Sequence, residues 1–314
     1  MTSGNPTVGD ELMRGVFVLL MLSLLGACAS PRPGYELPPA GRMEIAAASL
    51  DPIAHYRAIL ERAKTNTVVF NANARSELAG SGKLRAAINY GNSVLAVKGT
   101  DGAPRGVSVD IALELARQLM VPVTLVPYVS AAQTLEGLKR GEWDIGFFAI
   151  DPARANDAAF TAPYLFIEGA YVVPVRSAIT RMDEVDRPGI RVVVGQGSAY
   201  DLHLTRSLKR ATLVRVKTSP IVADELLKGG YEAAGGLRPQ LEADAKRLNG
   251  LRVLDGNFMR IEQAMAVPRG KGEAQAVLGA FLETLKGSGF LEEALRRHGV
   301  QGVALASRES DSRK

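Results

Sequence analysis

Residues 107–150 read VSVDIALELARQLMVPVTLVPYVSAAQTLEGLKRGEWDIGFFAI, and the fold is decided there. Ile111, Leu115 and Leu119 recur along one face of Val107 to Leu119, the spacing of an amphipathic helix. Val121 to Tyr128 is a short apolar run that predicts a strand, Ala131 to Lys139 predicts a second helix, and Trp143 to Ile150 a further strand. Ahead of them an apolar strand, LRAAI, begins after Lys83 and ends in a turn at Gly91-Asn92. The order is βαβαβ, which implies a parallel sheet with helices on its faces.

Downstream the alternation repeats. Strands are predicted at Tyr171 to Val175, Ile190 to Val194, Thr212 to Val216 and Tyr231 to Ala234. Helices are predicted near Tyr200 to Leu208, at Pro220 to Lys228 and at Pro239 to Leu248. The strand Gln263 to Val267 and the helices Glu273 to Lys286 and Phe290 to Arg297 are too few for a third domain and are expected to pack back on the first. This gives a first lobe at 79–167, a second lobe at 168–259, a return to the first at 260–305 and a polar tail at 306–314. Two crossings between lobes make a hinge, and clefts at the carboxyl ends of α/β strands are where ligands bind.

The 314 residues carry 38 Lys and Arg against 33 Asp and Glu, a net charge of +5 with both signs scattered. That pattern reads as solubility, and no nucleic-acid partner is expected. With 46% apolar and 23% charged residues, collagen, coiled coil and wholesale disorder are excluded. One cysteine and three scattered histidines (His55, His203, His298) supply neither a disulfide framework nor zinc spacing, so no metal or other cofactor is expected. Val16 to Leu25 (VFVLLMLSLL) has the length of a signal-peptide core and is too short to span a bilayer. Asp10 and Glu11 fit a signal poorly, which favours a translation start at Met13. Residues 1–27 are therefore read as a signal peptide. Leu25-Gly26-Ala27-Cys28 has the form of a lipobox, making Cys28 the expected site of lipidation; an ordinary signal peptide with an incidental cysteine is the competing reading. Residues 28–78 follow as a tether with four prolines between Ser30 and Gly41, then a short helix opened by Asp51-Pro52.

The sequence resembles the family 3 extracellular solute-binding proteins, the polar amino-acid receptors of ABC importers, from about Leu84 to His298. The resemblance is carried by Gly106-Val107-Ser108-Val109-Asp110-Ile111-Ala112, by Trp143-Asp144-Ile145, and by Asp151-Pro152-Ala153-Arg154 followed by Ala159-Phe160-Thr161-Ala162-Pro163-Tyr164. It implies a two-lobed, type II periplasmic-binding-protein fold, each lobe a mainly parallel sheet flanked by helices. It also implies a monomeric receptor anchored to the cell envelope that delivers its ligand to an inner-membrane permease.

Several residues become candidates. Arg154, placed just after a strand, can hold a ligand carboxylate with two parallel hydrogen bonds; a surface arginine is the competing reading. Gly195-Gln196-Gly197-Ser198-Ala199 resembles the family's turn into a helix, where the N–H groups of Ser198 and Ala199 would complete an anion site. Phe147 and Ala149 fall where the family offers a carbonyl and a hydroxyl to an ammonium group, and here the hydroxyl is absent. Leu237, beside Arg238, takes the place of the family's acidic partner for that ammonium, while Glu232 is expected to cap its own strand. Asn89, Tyr90 and Asn92 lie where the family lines the first-lobe wall, although alternation along the strand could instead bury Tyr90.

An ammonium buried without acceptors is costly. The expected ligand is a small carboxylate-bearing solute, an amino acid or an amino-acid-like organic acid; the missing acceptors favour a carboxylate without an amino group over a standard polar amino acid, and a dianion if Arg238 faces the cleft. An enzyme resembling the periplasmic cyclohexadienyl dehydratases is the alternative on the same scaffold. Against it stand a cleft strand (GFFAI) without a general acid or base and the absence of G-x-S-x-G, H-E-x-x-H and P-loop patterns. Glu168, near the first crossing, is the carboxylate that could reopen that case. A sensory input module handing its closed state to a partner in the envelope is a third possibility, and a transglycosylase of related architecture would need another catalytic domain.

Overall fold

The computed structural model describes residues 42–45 and 68–308. The predicted signal core, Cys28, the proline-rich tether, the helix expected from Asp51 and the tail beyond 308 lie outside the described residues.

The first lobe opens with β1 (Met43–Ile45) and α1 (Ala72–Ala79), followed by β2 (Leu84–Asn89), α2 (Val107–Leu119), β3 (Val123–Tyr128), α3 (Ala131–Lys139) and β4 (Gly146–Ala149). β2 runs parallel to β3 in register from Leu84↔Val123 to Asn89↔Tyr128. A parallel bridge, Ala86↔Ile145, joins β2 to the chain entering β4, and β1 adds an antiparallel edge to β3. α2 and α3 occupy the spans that the apolar periodicity predicts. Trp143 is 1% exposed and donates its indole N–H to Thr134 O at 2.8 Å, a packing role. Asp144 holds the Arg85 guanidinium at 2.6 Å and accepts from the Arg85 backbone N–H, tying β2 to the turn before β4.

After β5 (Ala158–Phe160), the chain crosses on β6 (Leu165–Pro174) into the second lobe. There β7 (Arg191–Gly195), α4 (Ala199–Ser207), β8 (Thr212–Val216), α5 (Val222–Lys228), β9 (Ala233–Leu237), α6 (Arg238–Leu248) and β10 (Leu251–Val253) follow. β8 and β9 flank β7 in parallel, and β6 borders β9 antiparallel. The chain returns on β11 (Met259–Pro268) to α7 (Gly272–Ser288), α8 (Phe290–Arg297) and β12 (Val303–Leu305). Each parallel core is thus bordered by an antiparallel strand, β1 beside β3 in the first lobe and the crossing strand β6 beside β9 in the second.

Both crossings are longer than the apolar pattern predicts. β6 and β11 pair with each other from Leu165↔Gln263 to Gly169↔Met259, and their near halves carry Glu168, Arg260 and Glu262, which interrupt the apolar run. β9 begins two residues later than expected and runs past the expected end at Ala234 through Gly235 and Gly236 to Leu237. Those glycines are buried where Leu204 of α4 and Leu241 of α6 close on the strand, at 3.1 and 3.0 Å from the positions a β-carbon would take. Bare backbone there lets both helices pack directly against the sheet.

Candidate functional site

Asp151 follows β4 and accepts from Ala153 N–H at 2.9 Å, capping a single 3₁₀ turn over Pro152–Arg154. That turn sends Arg154 back beneath the strand, where it is 3% exposed. One guanidinium nitrogen donates to Ala149 O and the other to Gly197 O of the second lobe, both at 2.8 Å, and the group lies 5.4 Å from the Phe148 ring centre. Among the described residues no carboxylate pairs with it. Burial draws its pKa down to about 10, opposed by the nearby charge of Asp151. A buried cation held by carbonyls alone carries its desolvation cost without a counter-charge. An incoming carboxylate would supply one.

Beside it lies a cavity of about 40 Å³ lined by Asn89 at the end of β2 and Asn92 after it, Phe147 and Ala149 of β4, Arg154, Ser198 and Ala199 at the start of α4, and Leu237 at the end of β9. Of the sequence candidates, Tyr90 and Arg238 do not line it. Tyr90 is half-buried against the first-lobe core, turned from Asn89 by strand alternation, and its phenol is pushed up to about 12 by burial. Arg238 pairs with Glu168 at 2.7 Å and donates to the carbonyls of Leu254 and Gly256. The dianion expectation loses its second cation, and Glu168 is spent on an ion pair. Glu232 is likewise held by Arg191 at 2.7 Å.

The turn into α4 also differs in detail from the expectation. Ser198 N–H donates to Gly195 O at 3.1 Å and Gly197 N–H to Asp201 Oδ2 at 2.8 Å, while Ser198 Oγ caps the helix through Asp201 N–H. The N–H groups left without an intrahelical acceptor at this helix start are those of Ala199 and Tyr200. Gly197 has a φ of 69°, and a β-carbon there would stand 2.8 Å from Ala132 Cβ of the first lobe. Arg206 of α4 pairs with Asp151 at 2.7 Å, and Thr218 Oγ1 donates to Val129 O at 2.6 Å. The lobes are therefore closed on each other.

Sequence reasoning passed over Phe148, Tyr200, Ser219, Ile261 and Gln263, all of which line the cavity. Gln263 carried a signal, a lone amide at the head of the apolar run QAMAV. No Asp, Glu, His or Lys lines the cavity. Among the described residues no cluster of His, Cys, Asp and Glu could hold a metal, and no helix is long and apolar enough to cross a membrane. A wider groove of about 460 Å³ between Ser93, Pro239 and His298 has its imidazole paired with Asp110 at 2.7 Å and Ser93 bonded to Gln240.

The model of the bacterial extracellular solute-binding proteins, family 3, matches residues 84–301. The chain belongs to that family. Among solved structures, this solute-binding protein is similar to the solute receptor for L-cysteine of Neisseria gonorrhoeae, at 22% identity and a TM-score of 0.65 over 76% of this chain and 100% of that one. It is also similar to a mutant of ArgBP from T. maritima, at 20% identity and a TM-score of 0.64 over 73% and 100%. An ancestral amino acid-binding protein, a precursor of cyclohexadienyl dehydratase, gives 22% and 0.63 over 72% and 99%. At such identities the likeness is one of fold. No curated protein matches the chain.

Proposed function

We propose that this solute-binding protein is the extracytoplasmic receptor of an ABC importer and captures a small carboxylate that lacks an amino group. The observation that carries the reading is Arg154, a buried guanidinium with which no carboxylate among the described residues forms an ion pair, beside a cavity whose lining has no acidic side chain. The ligand carboxylate pairs with Arg154, and the Ala199 N–H approaches the same anion from the second lobe. Asn89 and Asn92 form the first-lobe wall, with Phe147, Ala149 and Leu237 as apolar surface. Ligand touching both lobes favours the closed arrangement, which a permease then recognises. Cys28 and the segment to residue 41 serve as lipid anchor and tether.

No chemistry is assigned. A dehydratase on this scaffold needs a proton-transfer group in the cavity, and neither Glu168 nor Glu232 is free to act as one. Incubation with prephenate or arogenate is expected to yield no aromatic product.

A thermal-shift screen of small carboxylates, amino acids and their oxo and hydroxy analogues tests the reading, because a ligand bound to the folded state raises Tm by mass action. Acids without an ammonium group are expected to give the largest shifts, and Arg154→Ala to abolish them. Tight calorimetric binding of glutamate, glutamine, lysine or histidine would overturn it.

A further inference from the structure

Gln263 lies on β11 at the register position opposite Ala149 of β4 and Leu165 of β6. Directly opposed residues present their side chains on one face of a sheet, so the amide stands over the small Ala149 side chain, and Ile261, two residues earlier, lines the same cavity. Gln263 is 3% exposed. Its backbone carbonyl is used by Tyr164 N–H at 2.9 Å, but its side chain makes no hydrogen bond to any described residue. An amide carries two donors and an acceptor, and burying them unpaired costs stability that an apolar residue of the same length would not lose. Two other polar atoms of cavity-lining residues, Asn92 Oδ1 and the Tyr200 hydroxyl, are fully buried without a hydrogen-bond partner.

These groups are neutral. A cationic ligand group among them would sit beside the buried Arg154 with no carboxylate to answer it, and a second anionic group would find Arg238 already paired. A hydroxyl or oxo group fits both constraints, since the same cavity is lined by an acceptor oxygen, amide donors and a phenol. The cavity is small, about 40 Å³, which favours a compact acid whose neutral group stands close to the carboxylate. Resting on the receptor reading above, we propose that Gln263 is a specificity-determining ligand contact, selecting with Asn92 and Tyr200 a neutral hydroxyl or oxo group next to the ligand's carboxylate.

Calorimetry on the full chain tests this with propionate, lactate, pyruvate and alanine, which share one size and differ in the group beside the carboxylate, and then with the same four functions on a five-carbon chain. The native protein is expected to bind the hydroxy or oxo acid about tenfold or more tighter than the plain acid, the equivalent of one buried hydrogen bond. In Gln263→Met that ratio falls to about threefold or less, and Gln263→Leu, checked by circular dichroism for folding, gives the same collapse. A ratio untouched by both variants, or alanine as the tightest ligand, overturns the proposal while leaving a carboxylate receptor standing. Failure of every acid to bind the native chain sinks the receptor reading and this proposal together.

Discussion

Arg154 and Arg238 each stand behind a strand that ends at the cleft, one in each lobe, and they differ in burial and in what answers their charge. Arg238 reaches Glu168 at 2.7 Å and Glu242 at 3.7 Å and adds two backbone carbonyls. Arg154 has carbonyls alone, although it is the more deeply buried of the two, at 3% exposed. Residue type and nearness to a cleft do not therefore make an anion site. What makes one is a charge that the fold has removed from water and left for another molecule to neutralise.

The strongest way to break this contrast is Arg154→Ala, expected to weaken carboxylate binding by about 100-fold or more, as truncating a buried charge partner does. Arg154→Lys should recover part of that loss, because charge returns without the two-nitrogen fork. Calorimetric affinities for both variants decide it, and equal binding by native and Arg154→Ala protein would place the ligand elsewhere. Next comes Gly197→Ala. A side chain at a φ of 69° is strained, and its β-carbon would meet Ala132 Cβ at 2.8 Å across the lobe contact, so affinity should fall about tenfold through impaired closure. X-ray scattering with saturating ligand should show the variant more extended than the native protein. Arg238→Met sharpens the comparison from the other side. It removes a structural ion pair, so Tm should drop while affinity stays within about threefold of native.

The smallest effect expected is none. Arg154, with its pKa drawn down to about 10, remains charged below that pH, and Tyr200, pushed up to about 12, remains neutral. Affinity should be flat from about pH 6 to 9 and decline only as the guanidinium loses its proton. A step in affinity near pH 5 or 6 would reveal a carboxylate or imidazole in the ligand's surroundings, which titration calorimetry across that range would detect.

In the first lobe α2 and α3 were legible because their apolar periodicity is strong, whereas α1 (Ala72–Ala79) falls at the end of the stretch read as tether and was not expected. The crossing strands were legible in part: Glu168, Arg260 and Glu262 face outward on a ladder whose partner strand lies about 100 residues away in the chain, and no local pattern announces such a pairing. The same distance hid Gln263, whose place beside Ala149 follows from antiparallel register. Phe147, Ala149 and Leu237 could be named because the family resemblance implies those positions, and all three line the cavity. Where a side chain turns depends on its partners, which is why Arg238 and Tyr90 could not be placed from their positions, and why the Ser198 N–H proved to be engaged by Gly195.

The two crossings, hydrogen-bonded to each other from Leu165↔Gln263 to Gly169↔Met259, form one twisted ribbon in place of two independent cords. A ribbon bends readily about one axis and resists shear, so the jaws it joins can gape without sliding past each other, and the Arg206–Asp151 clasp meets the same partner on every stroke.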